Sequence, residues 1–330
     1  MTPAVGRFTR VPPPPVVAEA VRSGFVESRH RGTIVGLHAD GSVAFQLGEP
    51  DEPLYPRSAN KPMQAAGMVR AGLRLPPELL ALAAASHSGE AYHVDGVRAI
   101  LDGVGLDESK LLTPPDLPLN EDAARAWVRA GGDPASVTMN CSGKHAAMLA
   151  TCVANGWATV SYRDADHPLQ LALQETVEQL AGEQVASTGI DGCGAPLFAL
   201  SLTGLAHAFH AIVLAPAGSA ERQVADAMRA HPYYVGGTGR DVTALMQAVP
   251  GLLAKDGAEG VYAAAMPDGR TVALKIDDGA QRARAPVMVA ALRRLGVDAP
   301  GLTEVAKVPL LGGGRAVGEV RAVGEVGASG

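Results

Sequence analysis

Strand-forming segments at both ends of this chain, with helical segments between them, constrain its fold more than any other feature. Near the start, residues 25–28 and 32–38 have strand patterns, and residues 39–42 predict a hairpin turn before a strand at 43–47. Near the end, strands are predicted at 260–266 and 271–276. A sheet that pairs distant parts of the chain favours an α+β fold, with a mainly antiparallel sheet flanked by helices.

Helical periodicity fills most of the middle, where apolar residues recur at three- and four-residue steps. The predicted helices are 62–71, 77–85, 94–103, 120–130, 144–155, 169–180 and, later, 286–295. An uncharged stretch at 192–220 is broken by prolines and a glycine, which predicts a buried helix at 197–210 and a short strand at 211–214 rather than a membrane span. No linker divides the chain, so we expect one domain over residues 1–330.

Composition excludes several classes of function. A formal net charge of −6 and only 4% aromatic residues argue against binding to nucleic acid or to an anionic membrane. The odd count of three cysteines and the lack of a signal-like segment predict a reducing, cytoplasmic setting. A homodimer is the default for an enzyme of this size. A hexapeptide occurs twice, at 315–320 and 321–326, from which we expect a last strand at 316–320 and a frayed tail.

Ser58 and Lys61 form the first candidate for catalysis. A serine hydroxyl needs a neighbouring base, and a lysine amine can act as one when its surroundings lower its pKa. A spacing of three residues at a helix start can place the two side chains together, although Pro62 disfavours a helical conformation at Lys61. The same spacing occurs by chance in many chains, and a solvated helix cap is the competing interpretation.

Ser86 and Lys255 form a second candidate pair of the same chemical types. Ser86 lies in the polar segment 85–90, which fits either a site loop or an ordinary helix end capped by Gly89. Lys255 precedes a strand, loosely like the KTG element of serine penicillin-recognising enzymes.

Cys141, Lys144, His145 and Cys193 raise the possibility of a metal site. Thiolates and imidazole are good zinc ligands, so chemistry alone favours Cys141, His145 and Cys193. Binding through Lys144 would require removing a proton that an amine normally holds tightly. Reduced, buried cysteines without a metal are the alternative.

Taken together, these segments resemble the asparaginase II family, the Ser-Lys amidohydrolases that are unrelated to the threonine-nucleophile asparaginases. The resemblance covers nearly the whole chain, and its order and spacing argue against coincidence. It is carried by Val26-Glu27-Ser28 with His30 and Gly32, Arg57-Ser58 with Lys61-Pro62, residues 85–90, residues 140–145, Asp166-His167-Pro168, Asp191-Gly192-Cys193, Lys255 with residues 257–260, and residues 274–276 with Asp278-Gly279.

The resemblance implies a fold like that of serine β-lactamases and glutaminases, and hydrolysis of the L-asparagine side-chain amide to L-aspartate and ammonia. It implies two Ser-Lys pairs, Ser58 with Lys61 and Ser86 with Lys255. It also implies a zinc ion held by Lys144 and two cysteines, which differs from the choice of His145 made on chemistry alone. The implied zinc ligands are Cys141, Lys144 and Cys193.

Charge complementarity suggests how the substrate is held: Arg57 would meet its carboxylate and Asp191 its ammonium group, with His145 nearby. Two other classes of function stay open. One is a different Ser-Lys hydrolase, of the glutaminase or penicillin-recognising type, and the other is a non-catalytic zinc or amino-acid binding protein.

Overall fold

The computed structural model describes residues 12–327. Its strands are β1 (Val16–Arg22), β2 (Phe25–Leu37), β3 (Val43–Leu47), β4 (Pro53–Leu54), β5 (Ser187–Ile190), β6 (Pro196–Ser201), β7 (Leu253–Asp256), β8 (Val261–Ala265), β9 (Thr271–Ile276), β10 (Val308–Gly312) and β11 (Arg315–Ala322).

Its helices are α1 (Lys61–Arg70), α2 (Pro77–Ala83), α3 (Ala91–Asp102), α4 (Glu121–Arg129), α5 (Ser142–Asn155), α6 (Pro168–Ala181), α7 (Leu202–Leu214), α8 (Ala220–Ala230), α9 (Pro232–Val235), α10 (Asp241–Ala248), α11 (Arg284–Arg294), α12 (Leu302–Val305) and α13 (Gly324–Gly327). Short 3₁₀ turns lie at Arg57–Asn60, Glu108–Lys110 and Gln281–Ala283.

The main sheet pairs strands from the two ends of the chain. Among the described residues it has eight strands, in the order β10-β11-β1-β2-β9-β8-β7, with β3 also paired to β2. All of these pairings are antiparallel. The long strand β2 joins the sheet together, because its first half pairs with β1 and its second half pairs with β9 and β3. The predicted α+β class and its mainly antiparallel sheet are confirmed.

Helices pack on the sheet and on one another to form a second layer. Helices α7 and α11 contact the central strands β8 and β9. Helix α1 lies among α5, α6 and α8, and nearly all of its residues are buried. The first turn of α1 therefore lies deep inside the molecule, and the short turn at Arg57–Asn60 that precedes it contacts β7 and β8.

The predicted helices between residues 62 and 180, and the one at 286–295, are confirmed to within about three residues at their ends. The buried helix predicted at 197–210 is confirmed over residues 202–210. Its first part is wrong, because Pro196–Ser201 is strand β6, and the strand predicted at 211–214 is wrong, because helix α7 continues through these residues. Every residue of β6 is buried, so its sequence lacks the polar alternation that marks a half-exposed strand. Ser201 ends the strand, because its hydroxyl accepts a hydrogen bond from the Gly204 amide and caps α7.

The expected frayed tail is also wrong as far as residue 327. Strand β11 continues to Ala322, and α13 follows with Val326 buried against the body of the protein. The last residues of the expected tail, 328–330, lie outside the described part. Within residues 12–327, no helix is both long enough and apolar enough to cross a membrane.

Candidate active site

Three lysine side chains, those of Lys61, Lys144 and Lys255, are almost completely buried. Lysine is rarely buried in this way unless it is paired, because removing an ammonium group from water costs several kcal/mol. All three belong to the segments singled out in the sequence. Their burial therefore marks a built polar site rather than a set of solvated caps.

Ser58 and Lys61 lie at a continuous helix start. The 3₁₀ turn Arg57–Asn60 leads directly into α1, and the Lys61 amide donates to the Ser58 carbonyl. Lys61 is helical despite the proline that follows it, with φ −61° and ψ −35°. Ser58 is partly exposed, whereas Lys61 is buried. The turn therefore leaves Ser58 partly open to solvent and places the Lys61 side chain inside the protein.

The Lys61 amine contacts groups from distant parts of the chain. Its Nζ atom lies 3.0 Å from Ser86 Oγ and 3.1 Å from Cys141 Sγ, and it donates to the Ala85 carbonyl. Within the described residues, no hydrogen bond joins Lys61 Nζ to Ser58 Oγ. The serine that the structure brings to Lys61 is therefore Ser86, and the expected pairing of Ser58 with Lys61 is not a hydrogen bond here.

The loop that carries Ser86 is held on several sides. The Ser86 amide donates to the Val235 carbonyl, and the His87 amide donates to the Asn140 carbonyl. The His87 ring accepts from the Gly89 amide at Nδ1, so Nε2 carries the proton and donates to Ser142 Oγ at 2.9 Å. Burial lowers the pKa of His87 well below its usual range, which keeps the ring neutral. These bonds fix Ser86 beside the start of α5.

Lys255, at the end of β7, contacts a carboxylate instead of Ser86. Its Nζ atom lies 2.7 Å from Asp256 Oδ1 and donates to the Asp256 carbonyl. Burial lowers the pKa of Lys255 to about 8; the charge of Asp256 opposes this shift, while that of Lys61 adds to it. The expected hydrogen bond between Ser86 and Lys255 is absent from the described residues, although Lys61 lies close enough to both to influence them.

Cys141, Lys144 and Cys193 meet in a second buried cluster. Lys144 Nζ lies 3.3 Å from Cys193 Sγ. A hydrogen bond from Cys141 is the main influence on Cys193. Together with the charge of Lys144 it outweighs burial and holds the pKa of Cys193 well below its usual range. The same hydrogen bond and burial raise the pKa of Cys141. Burial is the largest single influence on Lys144 and disfavours the charged amine, but the charges of Cys193, Cys141 and Asp191 together outweigh it and raise the pKa of Lys144. The Lys144 amine and the Cys193 thiol therefore favour each other's charged forms.

The donor types in this cluster fit a zinc ion. His145 accompanies the thiols as a neutral ring, since burial lowers its pKa to about 4. Its Nδ1 pairs with the Tyr162 hydroxyl, and its buried Nε2 has no hydrogen-bond partner among the described residues. Across residues 12–327, however, no three His, Cys, Asp or Glu side chains are grouped so that they could hold a metal ion. Lys144, whose side chain is not one of these types, contacts the Cys193 thiol.

Arg57 and Asp191 form an ion pair at the edge of an open cavity. Arg57 Nε lies 2.8 Å from Asp191 Oδ1. Arg57 lines a cavity of about 400 Å³ together with Tyr55, Glu259 and others. Arg57 and Glu259 have φ values of 51° and 57°, a region that side chains other than glycine seldom occupy. Strained backbone of this kind often accompanies a functional site. The fully buried His145 is not among the lining residues of this cavity.

Sequence reasoning missed the charged residues around Lys255. Asp256 binds Lys255 directly, and Arg240 and Arg284 bind Asp256. The position of Asp256 beside Lys255 in the sequence was the only available signal for it. Nothing in the sequence marks either arginine, because they come from separate segments of the chain: Arg240 directly precedes α10, and Arg284 begins α11.

Buried serine and lysine groups packed against a helix start define a Ser-Lys type of hydrolase site. The family model described as L-asparaginase II matches residues 18–322, so this chain belongs to the L-asparaginase II family, a family of amidohydrolases. No curated protein sequence matches the chain in a direct comparison.

The solved structures similar to this one are distant. A protein described as Mglu is 13% identical with a TM-score of 0.40, and the match covers 76% of this chain and 62% of that one. A β-lactamase from Mycobacterium bovis is 15% identical with a TM-score of 0.40, covering 76% and 88%. A putative β-lactamase from Bacteroides dorei is 18% identical with a TM-score of 0.41, covering 74% and 85%. The present chain thus spans less than two thirds of the length of Mglu.

Proposed function

We propose that this protein is an L-asparagine amidohydrolase, which converts L-asparagine to L-aspartate and ammonia. The observation that carries the proposal is the buried Lys61 amine, 3.0 Å from the Ser86 hydroxyl and one helical turn after Ser58, in a chain of the L-asparaginase II family. An amine held in this environment can accept a proton from a hydroxyl when it is neutral.

Ser58 is the proposed nucleophile, since it is partly exposed, whereas Ser86 is buried. Ser58 does not itself line the cavity, but it directly follows Arg57, which does. Ser58 Oγ attacks the side-chain amide carbon, and its proton passes to Lys61. The C–N bond then breaks, and ammonia leaves with a proton delivered from Lys61 or through Ser86 and Lys255. Water hydrolyses the resulting ester, releases L-aspartate and restores the serine.

Arg57 and Asp191 are the proposed contacts for the two charged groups of the substrate. A free amino acid carries a carboxylate and an ammonium group, which match the guanidinium of Arg57 and the carboxylate of Asp191. The two side chains pair with each other at 2.8 Å, so each is oriented by the other. His145 is retained in the proposal as a neutral hydrogen-bonding group.

We extend the proposal to a zinc ion held by Cys141, Lys144 and Cys193. Support comes from the donor types, from the contact of Lys144 with Cys193, and from the nearby His145 Nε2, which has no hydrogen-bond partner within residues 12–327. A bound zinc ion would supply fixed positive charge that orients the substrate. The Ser-Lys groups provide the nucleophile and the base in every step above.

We also propose that residues 1–330 act as one catalytic domain, in a cytoplasmic homodimer. Strands from both ends of the chain share one sheet, which supports a single domain. The three cysteines are all free and buried, which suits a reducing compartment. Point-group symmetric dimers are the commonest oligomers of enzymes.

The direct test is ammonia release from asparagine and glutamine, alongside hydrolysis of a chromogenic β-lactam. We expect asparagine to be the fastest of the three. Ser58→Ala and Lys61→Ala should each lower turnover by about a thousandfold or more, and the double variant should lose little beyond that, because the two residues act as one unit.

Ser109→Ala, at an exposed serine, is the matched control and should keep full activity. Faster turnover of glutamine or of the β-lactam would replace the proposed substrate. Near-normal turnover by Ser58→Ala together with loss of activity in Ser86→Ala would move the nucleophile to Ser86, the serine bonded to Lys61.

A further inference from the structure

The Asp256 carboxylate is a buried meeting point of three cations. Its Oδ1 lies 2.7 Å from Lys255 Nζ, and its Oδ2 lies 2.7 Å from Arg240 Nη2 and 3.4 Å from Arg284 Nη1. Asp256 is only 3% exposed. A buried cluster of this kind is costly to assemble and contributes little net stability compared with apolar packing. Its cost calls for a role other than holding the fold together.

The two arginines of this cluster differ in what else they touch. Arg240 Nη1 lies 3.4 Å from the carbonyl oxygen of Ser86, so one guanidinium group spans the Ser86 loop and the carboxylate that binds Lys255. Arg284 instead donates to the Gly257 carbonyl and pairs with Asp241. Of these two arginines, Arg240 is the one that connects the chain segment carrying Ser86 with the segment carrying Lys255.

We propose that Arg240 is a positioning residue that fixes Ser86 relative to Lys255 and helps the Lys255 amine to release its proton. The proposal rests on the proposed amidohydrolase function for its effect on rate. Its effect on the Lys255 proton follows from the contacts of Asp256 alone and can be measured without any substrate.

The charges around Lys255 support this role. Asp256 faces its amine from β7, Lys61 approaches from α1, and Arg240 approaches from the residue before α10. Across the carboxylate lies Arg284 of α11, whose charge Asp241 balances. The single negative charge of Asp256 is therefore shared between Lys255 and Arg240, which weakens its hold on the Lys255 proton.

The test compares Arg240→Gln, Arg240→Lys and Arg284→Gln by two readouts. The first is NMR titration of lysines labelled with ¹³C at the ε-carbon; the chain has six lysines, and Lys255→Arg assigns the signal. The second is the pH profile of kcat for asparagine. Arg240→Gln should raise the Lys255 midpoint by about one pH unit and lower the alkaline plateau of kcat about tenfold.

Arg284→Gln is the matched control, because it removes a positive charge beside the same carboxylate without touching Ser86. Arg284→Gln should also raise the titration midpoint of Lys255, but it should leave the alkaline plateau of kcat unchanged. Arg240→Lys should keep the midpoint near that of the parent protein, since the charge stays, and lose part of the plateau, since a single amine cannot span both contacts.

A folded Arg240→Gln protein with the parent's midpoint and plateau overturns the inference. If Arg240→Gln and Arg284→Gln have equal alkaline plateaus of kcat, the proposal that Arg240 positions Ser86 is overturned. If Arg240→Gln fails to fold, Arg240→Lys decides, and a parental plateau in that variant overturns the positioning. A shifted midpoint in a protein that hydrolyses no asparagine would refute the proposed function and support the effect of Arg240 on the Lys255 proton.

Discussion

The pH dependence of turnover gives a quantitative test of the buried lysines. Burial lowers the pKa of Lys255 from the ordinary value of 10.5 to about 8. If the neutral amine is the active form, roughly one molecule in eleven is competent at pH 7 and roughly ten in eleven at pH 9, so kcat should rise about tenfold between these pH values and then level off. The sign follows because a base must lose its own proton before it can accept another.

A lysine with its ordinary pKa would behave differently over the same interval. Its neutral fraction would rise about a hundredfold from pH 7 to pH 9, with no plateau by pH 9. The assay is the initial rate of ammonia release at saturating asparagine from pH 6 to pH 10, with enzyme returned to pH 8 to exclude inactivation. Lys255→Arg, which stays charged over this range, should lose the tenfold rise between pH 7 and pH 9, and Lys110→Arg, at an exposed lysine, should match the parent protein.

A hundredfold rise without a plateau would refute the argument that burial lowers the Lys255 pKa. A rate that peaks near pH 5 would refute the lysine base altogether and indicate a carboxylate, such as Asp191 or Glu259.

Two further predictions concern the zinc ion and the packing of Gly257, just after β7, against the turn that carries Ser58. By elemental analysis, the purified protein should carry about one zinc ion per chain, and Cys141→Ser and Cys193→Ser should each carry less. A parent protein without zinc, or an unchanged zinc content in both variants, would contradict the assignment of the ligands. Gly257→Ala should lower activity and reduce the free energy of unfolding by about 1–3 kcal/mol, measured by thermal unfolding. The added Cβ would lie 2.6 Å from the Pro56 carbonyl oxygen and would displace the turn that carries Ser58. Full activity at the parental melting temperature would show that the turn gives way easily.

Features that depend on neighbouring residues were predicted well from the sequence. The hairpin before β3 follows from local turn chemistry, and the helix that begins at Lys61 follows from periodicity and a proline in its first turn. The segment that became β6 was assigned wrongly, since a fully buried strand and a buried helix share the same apolar composition. Its pairing with β5 and the capping of α7 by Ser201 depend on contacts that composition does not encode.

The same distinction separates the parts of the candidate site. By itself, the sequence determined which chemical groups are available: Ser58 and Lys61 at one helix start, and Cys141 and Lys144 at another. It also determined the family to which the chain belongs, because a motif consists of residue types at fixed spacing. Only the tertiary structure decided their partners. Lys61 meets Ser86, 25 positions away, and Asp256 meets Lys255 and Arg240 inside the core. Pairing and proton affinity depend on burial and on charges brought together by folding, and neither is a property of local sequence.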